Sequence, residues 1–316
     1  LACSLHAMAA VAAAPRFDRG IVSTDPTGAI ASEDRVWLRS SDGECSYEKP
    51  QICSMAWSLD HQLHHHLYAA VPNGGPIAIL KAERIAVHSA TGFTISEWKW
   101  ESSRALRLGW THAHELVAVL ESGRILLWSM QGERLADFGL GLACEANGLR
   151  DCALSPNGAV VLTQTLRLFA LLSFEERTLV PLADPLLSSP PHAMIALEPP
   201  VGSGQPPEVL LATASRTVLL VDAAEAQDQL LTAGPFASMV ISPNGEFVAL
   251  HAPREHALLV YTTDFARRVS TLRLPAGKAT ALRQMAWCGT DALLALIEEK
   301  EGAALLLIGP YGDCVR

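Results

Sequence analysis

Four histidines fall within six positions of the stretch Leu59-Asp60-His61-Gln62-Leu63-His64-His65-His66. Imidazoles this close can hold zinc or copper, with Asp60 supplying an oxygen ligand. The stretch lies between two strand-like segments, where solvated loop histidines are the plainer expectation, so no metal ligand is assigned. Acidic residues at Glu121, Glu175-Glu176 and Glu298-Glu299 sit in or beside turn signals. General acid–base catalysis needs carboxylates that converge in one pocket, and their spacing gives no such convergence. The phosphate-binding pattern Gly-x-x-x-x-Gly-Lys-Ser/Thr and the nucleophile pattern Gly-x-Ser-x-Gly are both missing, and Gly139-Leu140-Gly141 lacks the rest of a dinucleotide fingerprint. The sequence therefore predicts a non-enzyme with no catalytic residue and no cofactor. Trp98 and Trp100 alternate with Lys99, which places either an exposed aromatic pair or a buried one on a single face of a strand. They form the candidate partner-binding patch, since exposed aromatics mark interfaces.

The totals narrow the class. With 316 residues of which 49% are hydrophobic, the chain can fill a large core. Only 18% are charged and the net charge is −9, which argues against nucleic acid as a partner and against a broad basic face for anionic lipid. The seven cysteines include no Cys-x-x-Cys pair, which fits free thiols in a reducing cytoplasm. No apolar run reaches the roughly 20 residues that span a bilayer. The alanine-rich stretch at 7–14 has no basic region before it, and residues 1–46 are expected to be an unstructured or artefactual leader. Within them only Arg35-Val36-Trp37-Leu38-Arg39 has strand character.

The elements that must carry these residues are strands. Residues 104–140 hold four strand-sized pieces: an alternating segment at 105–110, a fully apolar one at 116–120, another at 125–130 and a mixed one at 133–140. In the first, Leu106, Leu108 and Trp110 are expected on one side. Glu121-Ser122-Gly123 and Gln131-Gly132 turn the chain between the later ones. Such a meander, buried inside and half solvated at its last strand, has the make-up of a propeller blade.

The pattern repeats. Taking the residue that ends each innermost strand gives Trp57, Trp110, Leu154, Leu197, Ile241 and Trp287, at intervals of 53, 44, 43, 44 and 46 residues. A period near 44 is that of propeller blades. The tetrapeptide Ser-Pro-Asn-Gly follows two of the anchors, at 155–158 and 242–245. The fold expected is all-β, a WD-like propeller of six or seven four-stranded blades over residues 47–316, with the last blade incomplete. Either Val36-Trp37-Leu38 supplies a missing outer strand or the chain is a C-terminally truncated piece, and the second reading is preferred. The anchor tryptophans are expected to pack between blades.

Several segments, in this order, resemble the N-terminal propeller domain of the vacuolar protein sorting-associated protein 16 family. They are Ser54-Met55-Ala56-Trp57-Ser58-Leu59, residues 70–80 (AVPNGGPIAIL), residues 85–92 (IAVHSATG), Leu108-Gly109-Trp110 with residues 115–123 (ELVAVLESG), Gln284-Met285-Ala286-Trp287-Cys288-Gly289 and residues 307–313 (LIGPYGD). The resemblance implies a class C core subunit shared by the HOPS and CORVET tethering complexes. These act in vesicle tethering and SNARE-driven membrane fusion, at late endosomes and the lysosome or vacuole. It further implies a cytoplasmic protein, peripheral on those membranes, whose partners are the other complex subunits. In the family a Sec1/Munc18-type protein binds a helical solenoid after the propeller, and SNAREs are engaged indirectly. A generic WD-like adaptor, or a propeller enzyme with a metal in the central channel, are the alternatives.

Overall fold

In the computed structural model, residues 66–71, 75–199, 205–214, 217–274, 281–299 and 302–309 are described, together with the backbone of strands at 37–39, 45–47 and 314–315. Two short strands, β1 (Trp37–Arg39) and β2 (Cys45–Tyr47), pair antiparallel. Six four-stranded antiparallel sheets follow, each built from strands consecutive in sequence. The first comprises β3 (Leu67–Ala70), β4 (Ile77–Lys81), β5 (Arg84–His88) and β6 (Thr94–Lys99). The second comprises β7 (Ala105–Trp110), β8 (Leu116–Leu120), β9 (Arg124–Trp128) and β10 (Arg134–Gly139). A one-and-a-half-turn helix, α1 (Leu142–Asn147), leads to the third: β11 (Leu149–Leu154), β12 (Ala159–Thr163), β13 (Leu168–Leu171) and β14 (Leu179–Pro181). The fourth holds β15 (Ala193–Leu197), β16 (Glu208–Ala212), β17 (Val218–Val221) and β18 (Ala226–Asp228). The fifth holds β19 (Ser238–Ile241), β20 (Phe247–Ala252), β21 (Ala257–Thr262) and β22 (Arg268–Arg273). The sixth has three long strands, β23 (Ala281–Cys288), β24 (Ala292–Glu299) and β25 (Gly302–Ile308), and a two-residue fourth, β26 (Cys314–Val315).

The first strands of successive blades abut in chain order, from β3 through β7, β11, β15 and β19 to β23, so they are the innermost strands of a propeller. The second strands read as continuous apolar runs because both their faces are covered. Every residue of β8 and of β12 is buried. The core is accordingly a set of layers between neighbouring blades. Val117 and Val119 of β8 face the third blade, while Leu116, Ala118 and Leu120 face the first. Each fully buried side chain of this kind contributes about 1.5–3 kcal/mol.

The anchor tryptophans pack between blades as expected, and they also cross-link them. Trp110 Nε1 donates to the Ala69 carbonyl on β3 at 3.1 Å, and Trp287 Nε1 donates to the Val240 carbonyl on β19 at 3.1 Å. The two Ser-Pro-Asn-Gly sequences form turns between first and second strands. Ser155 Oγ accepts from the Gly158 N–H at 3.1 Å, and Ser242 Oγ accepts from the Phe247 N–H at 2.9 Å.

Two details differ from the sequence expectation, and a third removes one of its alternatives. The innermost strand of the first blade is Leu67–Ala70, and the Trp57 anchor lies outside the described residues; counted from Ala70, the step to Trp110 is 40 residues, which removes the odd interval of 53. A register shift between Ala105 and Arg107 turns Leu106 toward the third blade, so it does not share a face with Leu108 and Trp110. Trp37 and Leu38 pair with Tyr47 and Ser46, while the outermost position of the last blade is taken by Cys314 and Val315 on Ile308 and Leu307.

Candidate functional site

Among the described residues, those singled out for chemistry do not converge. His61, His64 and His65 lie outside the described residues, and only His66 of that cluster lies within them. Glu121 pairs with Arg104 at 3.9 Å, Glu298 pairs with Arg283, and Glu175 and Glu176 follow Ser173, whose Oγ accepts from both their amides. A cleft on the fourth blade gathers Glu198, Glu208 and Asp222. Asp222 there accepts from the amides of Glu225 and Ala224, and these bonds hold its carboxyl below the usual range, so it stays ionised as a turn former. Among the described residues no group of three His, Cys, Asp or Glu is placed to hold a metal.

The tryptophan pair does form a surface feature. The pleat of β6 sends Ser96 and Trp98 toward the second blade. There the Ser96 hydroxyl donates to the Met130 carbonyl, and the Trp98 ring lies over Gly132 at the turn between β9 and β10. Gly132 has φ of 86°, and a Cβ added to it would sit 2.6 Å from Trp98 Cε3, so this turn needs glycine for its backbone and for the ring above it. Trp98 and Trp100 flank the buried Trp128 with ring centroids at 6.1 and 5.6 Å, both tilted. The Arg134 guanidinium covers Trp128 from 5.7 Å. Trp100 Nε1 donates to the Ser103 carbonyl at 3.2 Å, whereas Trp98 Nε1 is buried without an acceptor among the described residues.

The pair is thus half-buried: the inner edges complete the layer between the first two blades and the outer edges remain at the rim. Phe93 is 77% exposed, and Ile95 on β6 and Leu135 on β10 are exposed as well, Ile95 on the face of β6 opposite Trp98. These three were missed by the sequence reading. Ile95 and Leu135 occupy the solvent face of mixed outer strands, a signal available in the alternation of 94–99 and 134–139. The charges around them are paired internally, Arg84 with Glu97 at 2.9 Å and Arg124 with Asp137 at 2.5 Å. The Asp137 hydrogen bond and charge raise the Arg124 pKa further above its usual value. Apolar and aromatic side chains at a rim have the make-up of partner surfaces.

Residues 36–316 match the family model described as Vps16, N-terminal region. The chain is 28% identical over 289 residues to the probable vacuolar protein sorting-associated protein 16 homolog of Schizosaccharomyces pombe, covering 85% of this chain and 34% of that protein. It is 26% identical over 274 residues to the homolog in Dictyostelium discoideum, covering 80% and 32%. With Protein VACUOLELESS1 of Arabidopsis thaliana it shares 25% over 307 residues, covering 85% and 35%. The chain therefore spans about a third of the length of these relatives. Among solved structures, the β-propeller domain of Cps50 (Swd1) from Myceliophteria thermophila superposes with a TM-score of 0.57 at 12% identity, over 79% of this chain and 85% of that one. Hsv2p of Kluyveromyces lactis superposes at 0.54 and 12%, over 78% and 75%. At such identities these two share the fold alone.

Proposed function

The chain belongs to the Vps16 family through its N-terminal region, and on that premise we propose that it is a non-catalytic interaction scaffold in vacuolar protein sorting. The reading extends to the propeller of a class C core subunit in HOPS and CORVET, acting in vesicle tethering and SNARE-mediated fusion at late endosomes and the vacuole or lysosome. The observation that carries it is the match of 36–316 to the family model, joined by relatives whose names place them in vacuolar sorting. The absence of convergent chemistry among the described residues suits a scaffold, because function in a propeller resides in surfaces grafted on the fold. The partners on this reading are the other tethering subunits, with a Sec1/Munc18-type protein held through the helical part of the longer protein. Membrane association is peripheral and cytoplasmic, made through the complex. The rim of Trp98 and Trp100, with the exposed Phe93 at the start of the same outer-strand segment, is the proposed contact on this propeller.

Affinity capture of the intact protein from its source cells, analysed by quantitative mass spectrometry, tests this. Tethering subunits should be recovered in near-equal amounts, and the joint change Phe93→Ser and Trp100→Ala should deplete at least one of them. Recovery of ubiquitin-ligase or ribonucleoprotein subunits in their place would move the chain among generic adaptors.

A further inference from the structure

A guanidinium keeps its charge at every pH a protein meets and offers its N–H donors in a fixed fork. Outside the fifth blade, each arginine among the described residues meets a carboxylate, an amide oxygen or an aromatic ring. In the fifth blade Arg254, Arg267, Arg268 and Arg273 are exposed, and none of their side chains has such a partner among the described residues. The carboxylates of that blade are engaged by neutral donors instead. Glu246 accepts from the Asn244 amide, Glu255 from the Gly234 N–H, and Asp264 from the Thr262 hydroxyl and the Ala266 N–H.

Two of these arginines share a face of β22. Arg268 lies opposite Tyr261, Thr271 opposite Leu259 and Arg273 opposite Ala257, and these three residues of β21 belong to the layer between the fourth and fifth blades. Cross-strand neighbours point to the same side, so Arg268 and Arg273 face the fourth blade with the exposed Thr271 between them. The outer strand of the fourth blade, β18, is only three residues long. Its Gln227 lies opposite Leu220, on the side toward the fifth blade, whereas Asp228 lies opposite Leu219, on the side toward the third. Asp228 accepts from the Thr217 hydroxyl at 2.7 Å, and Glu225 accepts from the Gln227 amide. The fourth blade therefore turns a neutral amide, and not its aspartate, toward the two arginines.

β22 is also the last strand of its sheet, so the backbone groups of its outer edge have no strand to bond. The other outer strands differ. Those of the first and second blades use their charges internally, Arg84 with Glu97 and both Arg124 and Arg134 with Asp137, while β14, β18 and β26 have three residues or fewer. Cations along an open edge repel a like-charged strand and admit one of opposite charge.

We propose that the open edge of β22 takes up an extended acidic segment of a partner protein as a fifth strand of the blade. Main-chain hydrogen bonds along the edge supply affinity, and carboxylates about four residues apart on the incoming strand meet Arg268 and Arg273. A second copy of the chain fits poorly, because antiparallel pairing of two β22 edges would bring arginines together. An anionic bilayer matches the charge but does not continue a sheet. The surface lies on a different blade from the tryptophan rim and does not rest on the vacuolar reading.

The test uses the 316-residue chain and a fluorescent threonine-rich nonapeptide with glutamate at its third and seventh positions, read by anisotropy at low and moderate salt. Saturable binding that weakens with salt is expected, at least fivefold weaker in the double variant Arg268→Gln, Arg273→Gln, and abolished by N-methylation of the peptide backbone. The double variant should melt with the parent, because neither guanidinium has an ion pair to lose. Equal binding by the variant, by a peptide with lysine in place of glutamate or by the N-methylated peptide would overturn the proposal, as would a lack of saturable binding. A clear fall in Tm would make the arginines structural and overturn it too. Arginine-dependent binding to phosphatidylserine vesicles without peptide binding would assign the surface to a membrane and overturn it as well.

Discussion

The same substitution should have unequal consequences at two tryptophans of neighbouring blades. Trp110 is buried, and its indole N–H bonds the Ala69 carbonyl at 3.1 Å, linking the innermost strands of the first and second blades. Trp110→Phe removes the donor and leaves a buried carbonyl unpaired, which costs about 1–3 kcal/mol. The smaller ring also forfeits packing against Leu116 and Leu126, roughly another 1–2 kcal/mol for the lost ring atoms. The expected total is about 2–5 kcal/mol, and at roughly 2–4 °C per kcal/mol for a fold of this size Tm should fall by about 4–20 °C. Trp98→Phe removes an indole N–H that is buried without an acceptor among the described residues, so relief of that group offsets the lost contact with Trp128. Its net effect should lie within about 1 kcal/mol of zero. Urea unfolding at matched pH, followed by tryptophan fluorescence and far-ultraviolet circular dichroism, compares the two. Equal losses, or a larger loss at Trp98, would refute the assignment of Trp110 as the link between blades.

Gly132→Ala should cost about 2–4 kcal/mol by the same assay, because a left-handed backbone and the Trp98 ring both resist a Cβ there. Gly141→Ala, with φ of 86° and ψ of 169° but nothing within 4 Å, should lose only the backbone part, about 1–3 kcal/mol. Burial lowers the His251 pKa below 6.5, with the nearby His256 adding to the effect. The unfolded chain therefore takes up a proton first, so this part of the stability is complete above about pH 6.5 and is lost as the pH falls below it. His251→Gln should flatten Tm between pH 7 and 5, and an unchanged slope would count against the burial account. Burial pushes the Cys144 thiol up to about 11 and the Cys152 thiol higher still, so a thiol reagent at pH 8 should label both only as the chain unfolds. Labelling within seconds of mixing in native buffer would contradict the packing of the layer between the second and third blades.

Much of this architecture is legible in the residues. The uninterrupted apolar runs at 116–120 and 159–163 announce strands covered on both faces, and the twin Ser-Pro-Asn-Gly turns announce a repeat. The start of the first blade is less readable. Met55-Ala56-Trp57 repeats the tripeptide Met285-Ala286-Trp287 of the last innermost strand, whereas the true one, Leu67-Tyr68-Ala69-Ala70, carries a weaker apolar signal. Alternation shows that Trp98 and Trp100 share a face, but what that face meets is set by Trp128 and Gly132 of another blade, 28 or more residues away. Hidden most completely are Leu186 and Leu230. An apolar residue in a connection reads as core, and only the left-handed turn around it shows that it is turned outward.

A chimera tests the central claim most directly. Residues 36–316 would replace the matching N-terminal region of the Schizosaccharomyces pombe relative at its own locus, with delivery of a soluble vacuolar hydrolase as the readout. A propeller that serves vacuolar sorting as an interaction scaffold should restore delivery, and the Trp110→Phe chimera should do so only at lower temperature. A chimera present at normal abundance that still secretes the hydrolase would contradict the account.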